Sequence, residues 1–293
     1  MIELYVTVLI IYAFGKLRLA SQQNLCDQFS TRQVEELLAF LLLKPKIRHP
    51  REKLIAMLWP ELDVPHARHR FSIALSRLRR AVRSLGVKFE DYFQTTNDWV
   101  AFMPKQPYQF DRDLFVQSFR QALQTDDLIQ KEAVLGEALA IFRNHLMEGI
   151  YADWCLAERE YLERLRLRAL GLAMHCCMQR QAYEDAIEFG YDILHHDPLR
   201  EEVHCALMHC FHAQQRADLL LRQYKKCREL LQAELRQPPS PGTTALFQKL
   251  MADLAKVRLD ETTDFKTRQK LILAMNTFLQ AADQLQKLLV YGK

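Results

Sequence analysis

Glycine and proline are scarce in this chain, at 8 and 10 of 293 residues, which excludes a collagenous, low-complexity or turn-rich all-β protein and leaves long helices as the expectation. The seven cysteines, Cys26, Cys155, Cys176, Cys177, Cys205, Cys210 and Cys227, contain no Cys-x-x-Cys pair, and their odd number argues against a disulfide framework. They read as reduced, mostly buried thiols in a cytoplasmic protein. No apolar run is long enough to span a bilayer, so no membrane partner is expected. The opening stretch Leu4–Phe14 has the hydropathy of a signal-peptide core, but it lacks a basic segment ahead of it, follows Glu3, and is rich in β-branched residues that favour strands. A phosphate-binding GxxxxGK[ST] loop, a G-x-S-x-G elbow and an acidic receiver cluster are all missing. Neither an enzymatic step nor a cofactor is expected.

One further absence is local. Between Asp63 and Glu90 there is no acidic residue, while Arg68, Arg70, Arg77, Arg79, Arg80, Arg83 and Lys88 all fall in that window. Phe71, Ala74, Leu75, Leu78 and Val82 repeat at helical spacing, so the segment Pro65–Gly86 is an amphipathic helix with a basic outer face. His69, Ile73, Ser76, Arg77 and Arg80 point away from the apolar stripe. Guanidinium forks on a rigid helix suit phosphates and guanine edges in a DNA major groove, although a basic face also serves as a solvated surface or a dock for an acidic protein. The net charge of +4 does not choose between these; its placement does.

The flanking order favours DNA. Two strands are predicted in Leu4–Ala20, broken at Gly15. Ser30 and Gln33 form an S-x-x-Q capping box ahead of a helix with Val34, Leu37, Leu38, Leu41 and Leu42 inward. A shorter helix runs from Pro50 with Leu54, Met57 and Leu58 inward and stops at Trp59-Pro60. Asp63 is placed to cap the basic helix, and the run YFQTTNDWVAFM predicts a hairpin turning at Thr96, Asn97 and Asp98. Strands, three helices with the third basic, and a hairpin make a winged helix-turn-helix.

These residues resemble a known family. Leu37–Leu43, Arg51-Glu52-Lys53-Leu54, Leu58-Trp59-Pro60, Ala67-Arg68 and Ala74-Leu75-Ser76-Arg77-Leu78-Arg79-Arg80 are similar to the OmpR/PhoB-type winged helix of SARP-type bacterial activators. The resemblance implies base or phosphate contacts from Arg70, Ile73, Arg77 and Arg80 on the third helix, with Arg68, His69 and Ser76 beside them. It also implies a wing in the minor groove, where Thr95 and Thr96 stand, and backbone contacts from Thr31 and Arg32. The chain departs from the family at His69 and Ile73, where an Asn and a longer polar side chain are common, and in a wing without glycine.

Pro104–Pro107 reads as a linker within 104–110, and from Asp111 the chain is helical. Met174-His175-Cys176 recurs as Met208-His209-Cys210, 34 residues on, which is the tetratricopeptide period. At the same offset Tyr183 and Ala186 correspond to Ala217 and Leu220. His204, Cys205, His209, Cys210 and His212 could be read as a metal cluster, but the repeat makes packing the simpler reading, so no metal is expected. Trp154, Glu158-Arg159, Leu162, Asp197–Glu202, Gln223-Tyr224, Pro239-Ser240-Pro241, Thr243 and Leu246 resemble the bacterial transcriptional activator domain. Glycine is common after the Glu-Leu of that family, and this chain has Arg236 there.

The expected architecture is therefore an α+β winged helix-turn-helix domain over 1–103, a linker over 104–110, an all-α tetratricopeptide-like activator domain over 111–256 and a helical extension over 257–293. The extension carries Leu271, Met275, Phe278, Ala282, Leu285 and Leu289 at helical spacing. The resemblance implies a sequence-specific activator that binds double-stranded DNA, contacts RNA polymerase and forms a homodimer. The alternative is a tetratricopeptide-like scaffold whose winged helix contacts protein instead of DNA.

Overall fold

The computed structural model describes residues 8–262 together with Leu273 and Thr277; most of the helical extension expected over 257–293, including its apolar stripe, lies outside the described residues. The chain divides into two compact units, Met1–Ala169 and Leu170–Lys293.

The first unit opens with three short strands, β1 (Leu9–Tyr12), β2 (Arg18–Ala20) and β3 (Leu25–Cys26). They pair as an antiparallel meander that buries Leu9, Ile11 and Leu19, with Gly15 at φ 97 in the first turn. Helix α1 (Arg32–Leu43) buries Val34, Leu37, Leu38, Leu41 and Leu42 as its periodicity predicts. The capping box does not form. Thr31 takes the cap position with φ −153 and no side-chain cap bond, which leaves Ser30 outside the helix and puts Gln33 one residue too early to reach back.

Strand β4 (His49–Pro50) leads into α2 (Arg51–Leu58), whose inward residues are Leu54, Ile55 and Leu58; Ile55 takes the place expected of Met57, which is half-buried. Helix α3 (Val64–Arg83) buries Ala67, Phe71, Ala74, Leu75, Leu78 and Val82. Asp63 holds its cap position without a side-chain cap bond, because its carboxylate turns to His66 Nδ1 at 2.5 Å. Strands β5 (Phe93–Thr95) and β6 (Trp99–Phe102) form the expected hairpin, with β4 on its other side, in the order β4-β6-β5. Thr96 closes the wing turn: its Oγ1 accepts from the N–H groups of Asp98 and Trp99, both at 3.2 Å. The result is a winged helix-turn-helix.

Tyr108–Phe110, inside the segment 104–110, forms β7 and pairs in parallel with β1, completing a sheet of order β3-β2-β1-β7. Helices α4 (Asp111–Gln124), α5 (Leu128–Ile141) and the start of α6 (Asp153–Gln179) follow. They are tied to the first sheet by polar groups. The Asp111 carboxylate accepts from the N–H groups of Ala13 and Phe14, and Met147 and Glu148 donate their N–H groups to the carbonyls of Ala13 and Gly15. Arg159 on α6 fixes that last loop by donating to the carbonyls of Leu146, Met147 and Ile150. Burial raises the Asp111 carboxyl above its ordinary range despite the N–H groups of Ala13, Phe14 and Arg112 that donate to it.

In the second unit, α7 (Tyr183–His196), α8 (Glu201–Ala213), α9 (Ala217–Glu234) and α10 (Pro241–Thr262) form helical hairpins. The repeat is visible in the backbone. Gln181 (φ 62) and Gln215 (φ 59) both turn left-handed, and the next residues, Ala182 and Arg216, each donate to a carbonyl five back, Cys177 and Phe211, at 2.9 Å. Ala186 and Leu220 are buried at matching places, and Gly190 leaves room for Leu207 and Met174, which would lie 2.8 and 3.0 Å from a Cβ there.

Cys176 and Cys210 are buried, but His175 and His209 between the same helices' core positions are exposed, so packing accounts for the cysteines of the repeat and not for its histidines. Arg236 adopts φ 55, in the left-handed region that favours glycine. Arg236→Gly is expected to stabilise the chain by about 0.5–1 kcal/mol, a left-handed penalty of about 1–2 kcal/mol less the larger unfolded entropy of glycine; a melting temperature that stays level or falls would contradict this.

Candidate nucleic-acid interface

The outer face of α3 is set by its burial stripe. With Phe71, Ala74, Leu78 and Val82 locked inward, Arg68, His69, Arg70, Ser76, Arg77 and Arg80 are all exposed. Ile73 is the exception among the predicted contacts on α3: it is half-buried, because it borders the stripe beside Ala74 rather than standing clear of it.

The arginines divide into two groups. Arg68 bonds to Glu52 of α2 at 2.9 Å, and Arg83 bonds to Glu90 at 2.9 Å. Arg79 lies over the Phe89 ring at 5.0 Å and reaches Thr95 Oγ1 at 3.5 Å, which ties the helix to the wing. Glu90 is held below the ordinary carboxylate range by a backbone hydrogen bond within its own residue, helped by the charges of Arg83 and Arg79. These three arginines brace the fold. Among the described residues Arg70, Arg77 and Arg80 make no ion pair, so their guanidinium forks face solvent on the outer face of the helix.

The remaining predicted positions are more committed. Thr95 is engaged by Arg79 and Thr96 closes the wing turn, so neither hydroxyl is idle. Thr31 starts α1, with its carbonyl accepting from Val34 and Glu35; exposed Arg32 pairs with Glu36 at 2.7 Å. The structure thus brings the α3 residues together on one face, beside a wing whose tip, Thr96–Asp98, is exposed. Such a surface can hold phosphate oxygens along a helix axis and offer bidentate donors to base edges. One basic stretch escaped the sequence reading: KPKIRHP, from Lys44 to Pro50 ahead of α2, has no helical period to draw attention to it, yet it flanks the wing through β4.

Of the residues that a metal cluster would have used, His204 and Cys205 are hydrogen-bonded within the fold. His204 Nε2 donates to the Pro198 carbonyl at 2.9 Å, and Nδ1 accepts from the Gln223 amide at 2.7 Å; Cys205 contacts Thr243 Oγ1 at 3.5 Å. That arrangement requires a neutral imidazole, and burial, assisted by the Lys226 charge, holds His204 below the ordinary value of 6.5. A base whose pKa falls on folding lends stability that is present above pH 6.5 and lost as pH drops below it. Thermal melting should show a decline below that pH that is shallower in His204→Gln; parallel profiles for the two chains would contradict it.

The motif residues of the helical domain are structural. Glu158 pairs with Arg112, Arg159 fixes the 146–150 loop, Asp197 pairs with Arg200, and Glu201 accepts from Thr243 and the Ser240 N–H at the start of α10. Tyr224 stacks on Phe247 at 4.0 Å. Among the described residues no helix is long and apolar enough to cross a membrane.

Residues 109–251 match the family model of the bacterial transcriptional activator domain. No curated protein matches the chain. Among solved structures, the chain is similar to Mycobacterium tuberculosis EmbR in complex with a low affinity phosphopeptide, with TM-score 0.71 and 16% sequence identity over 95% of this chain and 72% of that one. At that identity the likeness is one of fold, a winged helix with a tetratricopeptide-like helical domain.

Proposed function

From a chain that carries a bacterial transcriptional activator domain at residues 109–251 together with a winged helix-turn-helix, we propose a SARP-type, sequence-specific DNA-binding regulator that activates transcription in the cytoplasm without a catalytic step. The observation that carries this reading is the face of α3 on which Arg70, Arg77 and Arg80 stand exposed without an ion-pair partner among the described residues. The α3 guanidiniums that serve the fold find carboxylates, as Arg68, Arg79 and Arg83 do. Those that do not are available to a polyanion.

In this reading Arg70, Arg77 and Arg80 enter the major groove, with His69, Ile73 and Ser76 at their side. The wing tip lies in the adjacent minor groove, and Thr31 and Arg32 touch backbone at the start of α1. The helical domain contacts RNA polymerase, and two copies bind paired half-sites. Gel shifts of the full chain against genomic fragments, competed with shuffled duplex, test it: retention of particular fragments under shuffled competitor is the expected result. Absence of any duplex binding at physiological salt would favour a scaffold whose winged helix contacts protein.

A further inference from the structure

The basic segment beside the wing carries a cation that the fold pairs with no acid among the described residues. Between Lys44 and Lys53 stand Lys44, Lys46, Arg48, Arg51 and Lys53 against one acid, Glu52, and Glu52 is taken by Arg68 at 2.9 Å. Backbone bonds fold this segment onto the hairpin. Lys46 donates its N–H to the Phe102 carbonyl at 2.8 Å, β4 pairs with β6 in the register His49↔Val100 and Pro50↔Trp99, and Arg51 donates its N–H to the Asp98 carbonyl at 2.8 Å.

That register decides which way the side chains face. His49 and Val100 are both buried on one side of the small sheet. Arg48 and Trp99 therefore share the opposite side, as diagonal neighbours within reach of each other. The exposed Arg48 guanidinium lies 4.7 Å from the centroid of the Trp99 ring, and among the described residues it makes no ion pair. Stacking fixes the plane of a guanidinium while leaving its in-plane N–H donors unspent, which is the geometry a phosphate oxygen pair accepts. Trp99 also directly follows the wing turn, so the stack sits at the base of the wing tip.

We propose that Arg48, held by Trp99, is a DNA phosphate contact beside the wing, one that positions the chain on duplex without reading its sequence. This rests on the DNA-binding reading above. The test is a salt series of binding to a mixed-sequence duplex, followed by fluorescence anisotropy, with the full wild-type chain and with Arg48→Ala, Arg48→Gln, Arg48→Lys and Trp99→Leu. Arg48→Ala and Arg48→Gln should each make the slope of log K against log salt shallower by about 0.9, the share of one phosphate contact. Arg48→Lys should keep the wild-type slope. Trp99→Leu should keep the slope and weaken binding at every salt concentration, because the charge remains and its placement is lost. A wild-type chain that binds with a slope unchanged in Arg48→Ala and Arg48→Gln would overturn this contact alone. A wild-type chain that binds no duplex at all would overturn the DNA-binding reading, and the contact with it.

Discussion

Arg77→Ala is expected to weaken binding to the preferred site by about 1–3 kcal/mol, roughly 5- to 150-fold, if its fork pairs with a guanine edge. The expectation follows from α3 itself. Arg77 stands three residues after Ala74 and one before Leu78, both buried, so its Cβ direction is fixed away from the core, and its charge is not spent on any neighbouring acid among the described residues. Two outcomes are distinguishable in competition assays. A base contact predicts a loss at the preferred site much larger than the loss on shuffled duplex. A phosphate contact predicts an equal loss on both and a shallower salt slope. Arg80 follows the same logic, whereas Arg83→Ala should alter binding little, because its guanidinium already serves Glu90. Equal effects from Arg77→Ala and Arg83→Ala would contradict the division of the arginines drawn here.

Arg159→Ala is expected to be the most damaging single change to the first unit. Its guanidinium donates to three carbonyls, of Leu146, Met147 and Ile150, in a loop whose Met147 is fully buried and left-handed at φ 48. That loop in turn supplies the N–H groups of Met147 and Glu148 to Ala13 and Gly15 of the first sheet. Alanine removes the donor from the carbonyls of Leu146 and Ile150, while that of Met147 keeps the Ile150 N–H at 3.2 Å, at a cost of about 3 kcal/mol or more. For a protein of this size that corresponds to a melting temperature lower by roughly 6–12 °C. Arg159→Lys should recover only part of the loss, because an ammonium cannot span three acceptors as a planar fork does. Calorimetry checks this; a melting temperature within a degree or two of wild type for Arg159→Ala would show that the loop is held by other means.

The winged helix was legible because its elements obey local rules. The burial stripe of α3, the inward leucines of α1 and the turn at Thr96–Asp98 each follow from periodicity or turn chemistry over a short window. What escaped depends on contacts distant in sequence. Nothing around Tyr108–Phe110 signals a strand until β1 is there to pair with it, and Arg48 is an ordinary loop cation until β4 brings it onto Trp99. The capping box failed for a smaller reason, a helix that starts one residue later than Ser30 requires. In the helical domain the periodicity of 34 located the turns, since Gln181 and Gln215 share a backbone conformation, but it could not say which repeated side chain faces inward. Cys176 does and His175 does not.

The central claim is that the exposed face of α3 reads DNA sequence. Selection of bound duplexes from a random pool by the full chain, repeated with Arg77→Ala, tests it most directly. The expected result is an enriched motif for the wild type that becomes degenerate at one position in the variant. A wild-type pool that emerges no different from the input would contradict the claim.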